Sequence, residues 1–158
     1  MKASSIAIAV FLALFVLAFL SGCLALLFKD CGNDPACFEA AALKCEKAKV
    51  TIVRQDPLEG SFSAYLESRG FLEDSCLYYL RVDKLEFVED ETTTDLQKQI
   101  YALFKTLQGK SAICTIPEIE SDKRLLVTGD FSEMKAYCSG SLIDQYAQVQ
   151  TEINTVLG

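Results

Sequence analysis

The chain contains no histidine and no tryptophan, only three prolines, and eight glycines that are nowhere clustered. The missing histidine excludes the most chemistry. It removes Ser-His-Asp and Cys-His nucleophile activation, histidine metal sites and histidine pH switches together. The scattered glycines form no G-x-G-x-x-G or G-x-x-x-x-G-K loop, so neither kind of phosphate cradle is present. No two cysteines stand as C-x-x-C, which disfavours thioredoxin-like redox chemistry and zinc ribbons. Positive charge is scarce: 15 Lys and Arg face 22 Asp and Glu, for a net charge of −7. No basic cluster offsets that balance, so nucleic acid is not an expected partner. Nothing in the composition calls for a cofactor or a metal.

What the sequence does have is an uneven supply of apolar residues, 51% of its 158 positions. Residues 1–28 hold 23 of them, and the remaining 130 residues are about 44% apolar, ordinary for a globular domain. About 130 residues suffice for one domain with its own core. The division expected is residues 1–28 as anchor or signal segment and 29–158 as a single folded domain.

Ile6–Phe28 is uncharged and broken only by Ser21 and Gly22. A helix of that length covers about 34 Å, enough to cross a hydrocarbon core. Lys2 precedes it and Lys29-Asp30 cancel after it, so the positive-inside rule places the N-terminus in the cytoplasm and the domain outside. The whole run favours a retained single-pass anchor. Two alternatives place the domain outside as well. Ile6–Leu20 could serve as the apolar region of a cleaved signal peptide. Leu20-Ser21-Gly22-Cys23 resembles a bacterial-type lipobox, which makes Cys23 a lipidation candidate.

Six further cysteines lie beyond this segment: Cys31, Cys37, Cys45, Cys76, Cys114 and Cys138. An even set behind an export segment reads as disulfides. Fifteen connectivities are open to six cysteines, and the spacing does not choose among them.

Along the domain, Asp34 can cap a helix with Pro35 at its first position, where a missing N–H costs nothing. Phe38, Ala41, Ala42 and Cys45 recur at helical spacing. Lys49–Arg54, Ser61–Ser68 and Cys76–Val88 alternate as strands, the last with Cys76, Tyr78, Leu80 and Val82 on one face and Leu77, Tyr79, Leu85 and Phe87 on the other. Short breaks between the three suggest an antiparallel meander. Thr94 and Gln97 form a capping box ahead of Leu96, Ile100, Leu103, Phe104 and Leu107, an apolar stripe expected to face the core. Ala112–Ile116 reads as a fourth strand ended by Pro117. Leu125–Thr128 offers a short one, and Asp130 with Glu133 a further helix start. Ser141 can cap the last helix, which carries Leu142, Tyr146, Val149, Ile153 and Val156. The expected fold class is α+β, with an antiparallel sheet of about four strands packed with helices.

Glu86, Glu89, Asp90, Glu91 and Asp95 form an acidic run, but the ordered spacing of a calcium loop is absent, so a solvated loop is expected. Ser132-Glu133-Met134-Lys135 matches S-x-x-K. The partner S-D-N and K-T-G motifs are missing, which leaves Ser132 as an ordinary helix start. No feature selects two carboxylates as a glycosidase-like pair.

Two passages carry a resemblance. One is Cys31-Gly32-Asn33-Asp34-Pro35-Ala36-Cys37-Phe38, continuing to Cys45 and Ala48-Lys49-Val50. The other is Gly109-Lys110, Cys114-Thr115-Ile116-Pro117 and Tyr137-Cys138-Ser139-Gly140-Ser141-Leu142. Together they resemble a group of small, uncharacterised, membrane-anchored or secreted cysteine-containing proteins of archaea. The resemblance implies an architecture of export segment, short cysteine-bearing helix, antiparallel sheet and C-terminal helix, and it implies no catalytic residues. The expected function is a non-catalytic envelope module. It is held at the membrane by residues 6–28 and contacts another envelope protein. The alternatives are a small histidine-independent hydrolase, or a cystatin-like inhibitor by architecture alone.

Overall fold

The computed structural model describes residues 28–56, 60–117 and 135–157. The apolar run before Phe28, Cys23, Leu125–Thr128, Asp130, Ser132 and Glu133 lie outside the described residues. Among the described residues no helix is long and apolar enough to cross a membrane.

The elements run β1 (Lys29–Asp30), α1 (Pro35–Ala42), β2 (Ala48–Asp56), β3 (Gly60–Leu72), β4 (Ser75–Phe87), α2 (Asp95–Lys105), β5 (Ser111–Pro117), β6 (Cys138–Ser139) and α3 (Ser141–Leu157). The class is α+β, as the alternating patterns imply. The sheet differs from expectation in size and sense. Among the described residues it has six strands in sequence order, and β1 pairs parallel to β2 while the other pairings are antiparallel. β1 and β6 hold two residues each, too few to show an alternation.

Local chemistry starts the helices. The Asp34 carboxylate accepts the N–H groups of Ala36 and Cys37 at 2.9 and 3.2 Å, and Pro35 fills the first turn. Such a cap contributes about 1 kcal/mol. At α2 both halves of the Thr94–Gln97 capping box form. Helix α1 stops at Ala42, so Cys45 falls in the following turn, with its backbone in the left-handed region at φ 53°. Ser141 does not act as expected. Its hydroxyl accepts the Ser111 N–H at 3.2 Å and faces the Ser111 carbonyl oxygen at 3.4 Å, tying the start of α3 to β5.

The core lies on one face of the sheet. Val50, Ala64, Leu66, Tyr78, Leu80, Val82, Ala112 and Ile116 pack there with Phe38, Ala41 and Ala42 of α1 and Leu142, Ile143 and Val149 of α3. Tyr78 is fully buried, and its hydroxyl donates to the Ala42 carbonyl at 2.7 Å, fastening α1 to the central strand. The α2 stripe is shallower than expected: only Leu107, just beyond the helix, is buried, while Leu103 and Phe104 pack at the core margin and Leu96 is exposed.

Three disulfides join Cys31 to Cys37, Cys45 to Cys76, and Cys114 to Cys138. The first closes the approach to α1. The second ties the α1–β2 turn to β4, and the third bridges residues directly opposite each other on β5 and β6.

Strand β4 departs from simple alternation. Ala64 pairs with Val82 but Ser63 pairs with Lys84, so Asp83 is an extra, bulged residue. A bulge reverses the facing of everything beyond it. Leu85 therefore joins Val82 on the core face, and Phe87 stacks on Tyr101 at 4.4 Å between ring centroids. The expectation that both share a face with Leu77 and Tyr79 is corrected by that one residue.

Candidate open-face binding site

The sheet face opposite the core carries the candidate site. Registers lay it out in rows: Thr51, Tyr65, Arg81 and Ser111 across β2 to β5, then Lys49, Glu67, Tyr79 and Ile113. Two bulges supply further members. Arg69 is the extra residue between the Ser68–Tyr78 and Gly70–Leu77 pairs, and Asp83 is the other.

These side chains form a continuous lattice. Tyr65 and Tyr79 meet edge to face, with centroids 6.2 Å apart. The Arg69 guanidinium lies 4.9 Å from the Tyr79 ring centroid and that of Arg81 5.4 Å from Tyr65. Each arginine is paired, Arg69 with Glu67 at 2.8 Å and Arg81 with Asp83. The Tyr65 hydroxyl donates to Glu67 at 3.0 Å. Partial burial, then that hydrogen bond to a carboxylate, raises the Tyr65 hydroxyl above its ordinary pKa, so it stays a neutral donor at physiological pH. The Asp83 carboxylate, hydrogen-bonded to Arg81, holds that guanidinium in its charged form. Ile113 and Val53 stand exposed at the margins, 44% and 48%.

Every charge in the lattice has an opposite neighbour, so the face carries no excess of positive charge that would favour a polyanion. Tyrosine and arginine are the side chains that most often anchor protein interfaces, because they bring large rigid area and directional donors. Strands β2 to β5 present roughly 650 Å² on this side, near one partner's share of a standard interface.

Elsewhere the expected sites resolve into structure. Asp90 accepts the Thr92 N–H and the hydroxyls of Thr92 and Thr93 at 2.8–3.1 Å, which lowers its pKa and closes a local turn. Glu89 reaches Lys105, and Glu86 pairs with Lys84 while accepting from Ser61. Glu91 and Asp95 are exposed. Among the described residues no group of His, Cys, Asp or Glu could hold a metal ion. A cavity of about 480 Å³ at the far ends of β2, β3 and β4 is lined by Asp56, Gly60, Ser61, Glu86, Phe87 and Val88. The six outer cysteines pair off at the approach to α1, between the α1–β2 turn and β4, and across β5 and β6, and are not gathered into one site.

Strand alternation could have revealed the open face. Ser63, Tyr65 and Glu67 alternate with the core residues of β3, and Tyr79 and Arg81 with those of β4. Large aromatic and guanidinium groups in the polar phase of a strand are that signal, but the bulges that complete the lattice leave no mark in the pattern. No family model matches the chain, and neither a curated protein nor a solved structure is similar to it.

Proposed function

We propose that the chain is a membrane-anchored, extracytoplasmic binding module without catalytic activity, which docks an envelope protein on the open face of its sheet. The observation that carries this reading is the Tyr65–Tyr79–Arg69–Arg81 lattice, preassembled on the face that the helices leave uncovered. Preorganised side chains lose little freedom on binding. The disulfides favour an oxidising compartment, and the apolar run Ile6–Phe28 supplies the anchor, with the N-terminus on the cytoplasmic side. Residues 29–158 then form the outer domain. The kinship with small archaeal cysteine-containing envelope proteins belongs to the same proposal.

Site-specific photocrosslinking in native membranes tests it. A photoreactive residue at Thr51 or Ile113 should yield one defined adduct, and the same residue at Gln150 on α3 should not. Arg81→Glu should remove that adduct while leaving the protein folded. Equal yields from all three positions would sink the open-face reading.

A further inference from the structure

One end of the sheet gathers features that the open face does not use. β1 runs parallel to β2 with Lys29 opposite Ala48, so the chain reaches the domain from the end where β2 begins. β3 runs the other way with Ser68 opposite Ala48, so the β3–β4 hairpin overshoots at that same end. Phe28 and Phe71 thus project past the Ala48 row by about 3 and about 7 Å, two strand spacings apart, or about 10 Å. Direct contacts join the two. The Lys29 N–H donates to the Lys47 carbonyl at 2.9 Å, and Lys47 lies against Gly70. Cys76, opposite Phe71, is bonded to Cys45 beside Lys47.

Four large apolar side chains stand exposed there: Phe28 at 38%, Leu43 at 41%, and Phe71 and Leu72 at 54% each. Phe71 and Leu72 are the last residues of β3 before the Glu73–Asp74 turn, and two consecutive apolar side chains more than half exposed are costly in water. Phe28 is also the last residue of the 23-residue apolar run. We propose that this end of the domain, with Phe71 and Leu72 beside the Glu73–Asp74 turn, rests in the headgroup boundary of the bilayer that holds the apolar segment. The inference depends on the anchored reading above and adds the orientation of the domain. Lys29, Lys44 and Lys47 are balanced there by Glu46, Glu73 and Asp74, so the contact is apolar and does not require anionic lipid. The open sheet face then stands along the membrane normal, accessible from the side.

The chain has no native tryptophan, which provides a clean probe. Full-length Phe71→Trp, and separately Leu72→Trp, would be reconstituted into phosphatidylcholine vesicles with and without brominated acyl chains. Val88→Trp, at the far end of β4, serves as the reference. Fluorescence lost to brominated lipid at positions 71 and 72 but retained at 88, and unchanged by adding phosphatidylglycerol, is the expected result. Vesicles that carry the protein on flotation but leave positions 71 and 72 unquenched would overturn this inference and leave the anchor intact. Quenching at all three positions would overturn the end-on orientation. Protein that fails to float with vesicles would refute the anchored reading itself, and this inference with it.

Discussion

Raising the pH should destabilise this protein through one buried phenol. Burial pushes the Tyr78 hydroxyl up to about 12 from an ordinary 10. The folded state therefore holds the proton that the unfolded chain gives up above pH 10. Stability from this group is complete below pH 10 and is lost as pH rises toward 12. One proton and about two pH units give a loss of about 1.4 kcal/mol at pH 11 and about 2.3 kcal/mol at pH 12. Tyr78→Phe removes the titration and the hydrogen bond to Ala42, whose carbonyl keeps the Cys45 N–H at 2.9 Å. That loss costs about 1 kcal/mol at neutral pH. The two proteins should then exchange rank: wild type is more stable at pH 8, they are equal near pH 11, and the variant is more stable at pH 12. Equilibrium urea unfolding followed by far-UV circular dichroism at each pH measures the difference directly. Effects of other titrating groups cancel between the two proteins. A difference that stays constant from pH 8 to pH 12 would refute the reasoning.

Replacing both cysteines of the Cys45–Cys76 bridge with alanine, across a separation of 31 residues, should cost about 3.7 kcal/mol. Losing Cys31–Cys37, separated by 6, should cost about 2.2 kcal/mol. Calorimetric Tm values in that order support the loop-closure argument, and the reverse order contradicts it. Ser68→Ala should stabilise by about 1 kcal/mol in urea titration, because the Ser68 hydroxyl is fully buried with no hydrogen-bond partner. Gly140→Ala should destabilise by at least about 2 kcal/mol. Its backbone sits at φ +121°, and an added Cβ would meet the Ser111 carbonyl oxygen at 2.9 Å. A thermal melt unchanged by that substitution would show that the α3 start is looser than described.

Legibility in the sequence followed the range of the interaction responsible. Asp34 with Pro35 and Thr94 with Gln97 act within one helical turn, and both helix starts are readable directly. Alternation in β2 to β5 is set by burial of one face, so Val50, Ala64, Leu66, Tyr78 and Leu80 were identifiable as core candidates. Cysteine pairing is long-range: Cys45 meets Cys76 only because the α1–β2 turn lies beside β4. The Asp83 bulge is a single inserted residue with no compositional mark, yet it turns Leu85 and Phe87 inward and completes the arginine–tyrosine lattice. The edge strands β1 and β6 are defined by their neighbours and leave no pattern of their own. Ser141 looks like any capping serine, and only the closeness of β5 gives it a different partner.

The placement of two crosslinks also determines how the domain bears force. A pull on Phe28 reaches Cys31 one residue after β1 and crosses at once to Cys37. From there it follows α1 to Cys45 and crosses to Cys76 in β4, next to the middle of the sheet. Residues 32–36 and 46–75 are bypassed, so tension applied at Phe28 cannot peel β2 and β3 out of the sheet. With both bonds intact, the slack available between Phe28 and β4 is limited to α1 and its flanking turn. Under reducing conditions the same pull would first strip β1, a strand held by only two residues, and then unravel the sheet strand by strand.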